Sequence, residues 1–213
     1  MSAARITTAA LLERHRPLWH VVCRNPFILG VRDGSLPVET FDRWLVQDRH
    51  FVDGIFGATS RTLAVAPARD REILLQALRQ LHENLAWFDR SLAQRRLDLR
   101  VPVHPVCRAY VDYIVALGFE GYVVSLVALW TQYRAYQDAW AWARPGAPEF
   151  QKMILNWYSP DYRRFVKSIA RAADASLAGA SPHEVRRAEE VAVQVAQYEL
   201  AFWVMTMEEK SVA

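Results

Sequence analysis

The chain contains 213 residues, of which 52% are hydrophobic and 23% are charged. This composition excludes a disulfide-stapled miniprotein and an intrinsically disordered chain, and the length suits one domain with a substantial core. The formal net charge is only +3 and the basic residues are scattered, so nucleic acid is not an expected partner.

Apolar residues recur every three or four positions along almost the whole chain, a spacing that predicts an all-α fold. Prolines stand where most of the periodic runs begin or pause. The predicted helices cover residues 7 to 23, 27 to 31, 38 to 65, 68 to 96, 103 to 117, 119 to 143, 147 to 157, 160 to 178 and 182 to 208. Because no repeat or long linker interrupts this order, we expect residues 1–213 to form one helical domain.

The chain lacks a run of about 20 apolar residues, and its N-terminal stretch MSAARITTAALLERHR lacks an uninterrupted apolar core. Neither a membrane-spanning helix nor a signal peptide is therefore predicted. Its two cysteines, Cys23 and Cys107, lack the paired spacing of a metal knuckle or a disulfide framework. These features favour a protein of the reducing cytoplasm.

Two carboxylates interrupt the apolar faces of predicted helices. Asp48 follows Trp44 and precedes Phe51 on one face, and Glu199 precedes Phe202 on another. A buried carboxylate must be paired, hydrogen-bonded or protonated, because leaving it without a partner is costly. If the two faces converge, the acids form an acid/base pair or anchor a ligand. The alternative is a structural polar network between helices.

Tyrosines at helical spacing accompany the acids. Tyr110 lies on the apolar face of its predicted helix, and Tyr133 and Tyr136 follow Trp130 on another. Such residues are usually part of the core, but a buried tyrosine hydroxyl needs a hydrogen-bond partner. Aromatic residues make up 12% of the chain, and their position beside two acids favours a flat aromatic ligand that stacks between rings.

The spacing of residues does not predict a metal site or a phosphate-binding loop. The chain has no duplicated Glu-x-x-His pattern, no glycine-rich phosphate loop and no Gly-x-Ser-x-Gly motif. We therefore expect no metal and no cofactor. The two cysteines fit the role of small buried core residues.

Motifs at both ends of the chain match those of a known family. The N-terminal motifs are Asn25-Pro26-Phe27, Asp33-Gly34-Ser35-Leu36-Pro37 and Trp44-Leu45-Val46-Gln47-Asp48, and the C-terminal one is Glu199-Leu200-Ala201-Phe202-Trp203 followed by Met205. Between them the segments from Pro105 to Tyr110, Tyr136 and Trp157-Tyr158-Ser159 fall in the expected order. Over about residues 8 to 208 the chain resembles the TenA (thiaminase II) family, whose fold is a heme-oxygenase-like helical bundle.

The resemblance implies roles for individual residues. Asp48 matches the aspartate that holds the nitrogens of an aminopyrimidine, and Glu199 matches the catalytic acid/base. Glu83 resembles a glutamate that supports the site. The rings implied to wall the pocket or stack on the pyrimidine are Phe51, Tyr110, Tyr136, Tyr158 and Phe202.

One position departs from the thiaminase branch of the family. That branch has a nucleophilic cysteine four residues before the tyrosine that Tyr136 matches, and this chain has Gln132 there. Because glutamine is not a nucleophile, a covalent intermediate is not expected. The sequence resembles the branch that lacks this cysteine and acts on other thiamin breakdown products. Whether Gln132 or Tyr133 takes the place of the cysteine stays open.

The resemblance thus implies a hydrolase that acts on an aminopyrimidine or formyl-aminopyrimidine derived from thiamin. Two alternatives stay open: a pyrimidine-binding or regulatory protein without turnover, and a cofactor-independent oxidase of the same superfamily. The resemblance also implies a homotetramer or homodimer.

Overall fold

The computed structural model describes residues 6–208, and over that range it contains ten α-helices, two 3-10 turns and no strand. The predicted all-α fold is confirmed. The 3-10 turns cover Ala68–Asp70 and Pro148–Phe150. The helices are α1 (Thr8–Arg14), α2 (Arg16–Cys23), α3 (Pro26–Asp33), α4 (Val38–Ala64), α5 (Arg71–Arg95), α6 (Pro105–Leu117), α7 (Tyr122–Ala143), α8 (Gln151–Trp157), α9 (Pro160–Ala178) and α10 (Pro182–Met207).

Several predicted helices have different bounds in the structure, and two of the differences have a clear local cause. The predicted helix over 7–23 is divided into α1 and α2, because Pro17 lies in the first turn of α2 and proline cannot continue a helix from the preceding turn. The predicted helix over 119–143 begins later, at Tyr122. It does so because Gly121 has a φ of 105°, which is outside the helical region.

Side-chain caps define several helix ends as the sequence predicts. The Ser181 side chain accepts from the backbone N–H of Glu184, whose carboxylate in turn accepts from the Ser181 backbone at the start of α10. This reciprocal capping satisfies two of the free N–H groups of the first turn. Gly118 and Gly179 follow α6 and α9 as the predicted stops.

The core is built around α7, which is buried along most of its length and packs against α4, α9 and α10. Helix α10 also packs against α4 and α6. A cluster of buried tryptophans lies where these helices meet, with Trp44 stacked on Trp203 at a centroid distance of 6.2 Å and Trp140 edge-on to both. The arrangement brings the acid-bearing faces of α4 and α10 together. None of the helices within residues 6–208 is long and apolar enough to cross a membrane.

Candidate active site

The two acids that the sequence singled out lie in the same part of the core. Asp48 comes from α4 and Glu199 from α10, and each is 0% exposed. They are close enough that the charge of Asp48 raises the pKa of Glu199. The two acid-bearing faces therefore converge in the structure.

Asp48 has one oxygen bonded and one free. The hydroxyl of Tyr136, on α7, donates to Oδ1 of Asp48 at 2.5 Å. Oδ2 is buried without a partner. Burial raises the pKa of Asp48 from 3.8 to about 7, and the hydrogen bond from Tyr136 opposes this rise. The carboxyl therefore titrates near neutral pH.

Glu199 repeats this pattern on the neighbouring helix. The hydroxyl of Tyr110, on α6, donates to Oε1 of Glu199 at 2.6 Å, and Oε2 is buried without a partner. Burial raises the pKa of Glu199 well above its usual value, the bond from Tyr110 lowers it, and the charge of Asp48 adds to the rise. At neutral pH we expect the acid pair to hold at least one proton, because both carboxyls are far from bulk water.

Predicted aromatic residues surround the acids. The ring of Phe51 lies 4.7 Å from that of Tyr110 and 5.3 Å from that of Phe202, measured between centroids. These rings and Tyr136 are buried. The structure thus brings together four of the five rings that the resemblance implied.

Gln132 is buried on α7, one turn before Tyr136. Its Oε1 has no hydrogen-bond donor. A buried acceptor without a donor costs about 1–3 kcal/mol, and most buried polar groups in proteins have partners. Together with the free oxygens of Asp48 and Glu199, this amide oxygen is one of three buried acceptors on α4, α7 and α10 that N–H donors of a ligand could satisfy.

Two predicted site residues lie elsewhere. The ring of Tyr158 lies between the guanidinium groups of Arg144 and Arg163, at 4.8 and 4.9 Å. Trp157 instead packs edge-on against Tyr136, with centroids 5.5 Å apart. The reason is local: α8 ends at Trp157 and the backbone of Tyr158 has left the helical conformation. Of these two neighbours, Trp157 is thus the one whose ring contacts Tyr136, and the stacking role of Tyr158 stays a prediction.

Glu83 is exposed on α5. It follows the buried Leu81 by two residues, and two residues of a helix differ by about 200° in direction. The carboxylate therefore points away from the core face of α5. No contact between Glu83 and the buried acids is present in the described residues, and its supporting role stays a prediction.

The sequence reading missed three tryptophans and one tyrosine around the acids. Trp44 lies one turn before Asp48 and Trp203 one turn after Glu199, and the centroid of Trp203 lies 5.2 Å from that of Tyr136. The indole N–H groups of Trp44, Trp157 and Trp203 are buried without acceptors. Tyr198 stacks on Tyr110. The spacing of four residues from each acid is the signal that could have placed Trp44 and Trp203 beside the site.

The site is enclosed in this conformation. The acids and the rings that contact them are buried, and clefts at the surface, such as the one beside Trp19 and Trp130, are lined by other residues. A ligand of pyrimidine size therefore needs a movement of the surrounding helices to enter. Within residues 6–208, no group of three or more His, Cys, Asp or Glu side chains is arranged to hold a metal ion.

Curated relatives share most of the chain at low identity. A "Probable bifunctional TENA-E protein" from Glycine max is 26% identical over 211 residues, which are 93% of this chain and 92% of the relative. An "Aminopyrimidine aminohydrolase" from Halalkalibacterium halodurans is 23% identical over 219 residues, 95% of this chain and 96% of the relative.

A solved structure shows that the fold is the helical heme-oxygenase-like one. The crystal structure of a TenA homologue from Pyrococcus furiosus superposes with a TM-score of 0.90 at 22% identity, covering 94% of this chain and 100% of that chain. The sequence model of the TENA/THI-4/PQQC family matches residues 12–209, and the chain belongs to this family.

Proposed function

We propose that this protein hydrolyses a carbon–nitrogen bond in the side group of a thiamin-derived aminopyrimidine, as the free amine or its formyl derivative. One observation carries the proposal. Two fully buried carboxyls each receive one tyrosine hydrogen bond and leave their second oxygen without a partner. The name of the relative from Halalkalibacterium halodurans, an aminopyrimidine aminohydrolase, supports the same substrate class.

Asp48 is proposed to hold the pyrimidine. A carboxyl pairs with an aminopyrimidine through two parallel hydrogen bonds, one to a ring nitrogen and one to the exocyclic amine. The free Oδ2 supplies one of these bonds, and Oδ1 accepts from the amine while it keeps the hydroxyl of Tyr136. Because the pKa of Asp48 is about 7, a single proton shared between Oδ2 and the ring nitrogen completes the pair near neutral pH.

Glu199 is proposed to act as the acid and then as the base. Burial raises its pKa well above the usual value and so favours the protonated carboxyl that a general acid needs. As the carbon–nitrogen bond breaks, Glu199 gives this proton to the departing nitrogen. The resulting carboxylate then takes a proton from water, whose oxygen bonds to the carbon. Water is consumed, the nitrogen leaves with its new proton, and Glu199 returns to its protonated form.

Gln132 is proposed to bind substrate in place of a nucleophile. Its amide cannot form the covalent bond that a cysteine forms, but its free Oε1 can accept from an N–H of the substrate. This role agrees with a direct attack by water. It also separates this chain from members of the family that cleave thiamin through a cysteine.

The test is a substrate panel analysed by mass spectrometry. Purified protein is incubated with the free aminomethyl-aminopyrimidine, its formyl derivative and thiamin, and we expect turnover of one or both pyrimidines with thiamin left intact. Glu199→Gln is expected to lower kcat by about 10²–10⁴-fold while binding is kept. Glu190→Gln, an exposed change on the same helix, is the control.

Two results would contradict the proposal. If Glu199→Gln kept full turnover, the carboxyl would not carry the proton. If the wild-type protein bound the pyrimidines without converting them, the alternative of a binding or regulatory protein would replace the hydrolase. The pH profile gives a further check, because activity is expected to fall as the pH rises through the pKa of Glu199 and the acid form is lost.

The protein is also proposed to be a cytoplasmic single-domain homo-oligomer, either a dimer or a tetramer. Its two cysteines, Cys23 and Cys107, are buried free thiols, which agrees with a reducing compartment. Size-exclusion chromatography with light scattering measures the oligomeric state directly. A monomer at micromolar concentration would contradict this part of the proposal.

A further inference from the structure

Tyr110 is held by rings on more than one neighbouring helix. Its ring lies 4.7 Å from that of Phe51 on α4, and it stacks on Tyr198 of α10 with centroids 5.2 Å apart and planes within 6°. A nearly parallel pair at this distance favours a single ring orientation. The hydroxyl that donates to Glu199 is therefore directed by the packing of the ring.

Tyr198 contacts the ring of Tyr110 but does not itself hydrogen-bond to Asp48 or Glu199 in the described residues. It directly precedes Glu199 on α10, and consecutive helical residues point about 100° apart, so its side chain leaves α10 in a different direction from the carboxyl. Its ring also lies 5.2 Å from that of Tyr113, one turn after Tyr110 on α6. Tyr198 thus packs against two rings of α6 while its own side chain stays half-buried.

An ion pair links α10 to the residue that follows α6 by three positions, about three turns along α10 from this contact. Arg187, on α10, donates through Nε and Nη2 to the two carboxylate oxygens of Glu120, which follows α6, at 2.7 and 2.8 Å. A two-bond pair of this kind restricts rotation more than a single contact does. The pair therefore restrains the relative position of the two helices that carry Tyr110 and Tyr198.

From this arrangement we propose that Tyr198 is a positioning residue for Glu199, acting through the ring of Tyr110 and the hydrogen bond of its hydroxyl. The inference rests on the proposed function, because it takes Glu199 as the acid. The role belongs to the aromatic ring of Tyr198 and not to its hydroxyl, because the two side chains touch through stacked rings. Without the stack Tyr110 is held by the ring of Phe51 on one side only, and its hydroxyl is less firmly directed at Oε1 of Glu199, 2.6 Å away.

The direction of the effect on Glu199 follows from the hydrogen bond. The bond from Tyr110 favours the carboxylate and lowers the pKa of Glu199. Losing it therefore raises that pKa further. A variant that releases Tyr110 must move the titration of Glu199 to higher pH, whereas general damage to the fold exposes the carboxyl and moves it to lower pH.

The experiment compares Tyr198→Leu, which removes the ring, with Tyr198→Phe, which keeps it. We measure kcat and KM for the converted pyrimidine across pH, with Tyr110→Phe as the reference. Tyr198→Leu is expected to lower kcat about tenfold, the effect of one lost hydrogen bond, with little change in KM. The high-pH limb of its profile is expected to move upward, as in Tyr110→Phe, and Tyr198→Phe is expected to restore both.

A second measurement does not depend on turnover. Infrared difference spectra across pH report the carboxyl band of Glu199, identified by its absence in Glu199→Gln. We expect Tyr198→Leu to shift its titration to higher pH, and to shift nothing further when it is added to Tyr110→Phe. If the wild-type protein converted no pyrimidine, the proposed function would fail, and this titration would still decide the role of Tyr198.

Three outcomes would overturn the inference. The first is a Tyr198→Leu variant in which the Glu199 titration is unchanged. The second is a Tyr198→Phe variant as impaired as Tyr198→Leu. The third is an effect of Tyr198→Leu that is fully additive with that of Tyr110→Phe, since a residue that acts through Tyr110 cannot act when its hydroxyl is gone.

Discussion

Replacing Asp48 with asparagine is expected to stabilise the ligand-free protein at pH 8. The pKa of Asp48 rises from 3.8 to about 7 on folding. At about 1.4 kcal/mol per pKa unit, keeping this carboxyl ionised in the folded protein costs about 4 kcal/mol. The folded state binds the proton more tightly than the unfolded state, so this cost grows as the pH rises through the window from about 4 to about 7 and is fully present above it.

Asparagine removes the charge but keeps part of the geometry. Its Oδ1 still accepts from Tyr136, whereas its Nδ2 takes the place of the Oδ2 of Asp48, which has no partner in the structure. An amide N–H₂ buried without an acceptor costs about 1–3 kcal/mol. The net gain at pH 8 is therefore about 2 kcal/mol, which raises Tm by about 4–8 °C for a chain of this size. At pH 5 the wild-type carboxyl is already protonated when folded, and the gain nearly disappears.

Urea unfolding followed by tryptophan fluorescence at pH 5 and pH 8 measures this difference. Asp112→Asn is the matched control, because Asp112 is exposed on α6 and its replacement is expected to change stability little at either pH. The reasoning is refuted if Asp48→Asn is less stable than the wild type at pH 8, or if its effect is the same at both values. We expect Asp48→Asn to gain stability and to lose binding of the aminopyrimidine, and this combination is typical of replacing a residue that serves function at a cost in stability.

Two further predictions concern packing. Trp157→Ala is expected to weaken binding of the aminopyrimidine about fivefold, because the edge contact with Tyr136 is lost. Tyr158→Ala is expected to leave the affinity unchanged. Titration calorimetry measures both affinities, and equal effects would contradict the placement of these rings. Gly54→Ala is expected to destabilise the protein by about 1–3 kcal/mol, because its Cβ would lie 2.3 Å from Cγ1 of Val111. Thermal unfolding measures this, and an unchanged Tm would mean that α4 and α6 separate at little cost.

The enclosed acid pair has a consequence for binding. Asp48 and Glu199 are both 0% exposed and both have raised pKa values. A ligand that brings N–H donors to their free oxygens offsets the cost of desolvation that the empty site carries. Ligand binding is therefore expected to stabilise the protein more at pH 8 than at pH 5, where the carboxyls are protonated.

Local rules account for the predictions that were correct. Helices follow from apolar residues spaced three or four apart, and the caps at Ser181 and Gly179 follow from side-chain and backbone geometry within one turn. Asp48 and Glu199 could be singled out because a carboxylate on an apolar face needs a partner wherever the helix packs. These features depend on residues that are near one another along the chain.

The tertiary structure decided which groups meet. Tyr136 bonds Asp48 across 88 residues of sequence and Tyr110 bonds Glu199 across 89, and no local pattern states such a pairing. Trp157 faces the site and Tyr158 does not, because α8 ends between them. The sequence by itself thus determined the helices, the family resemblance and the two acids. The hydrogen bonds of the acids, and the stacking of Tyr198 on Tyr110, depend on how α4, α6, α7 and α10 pack.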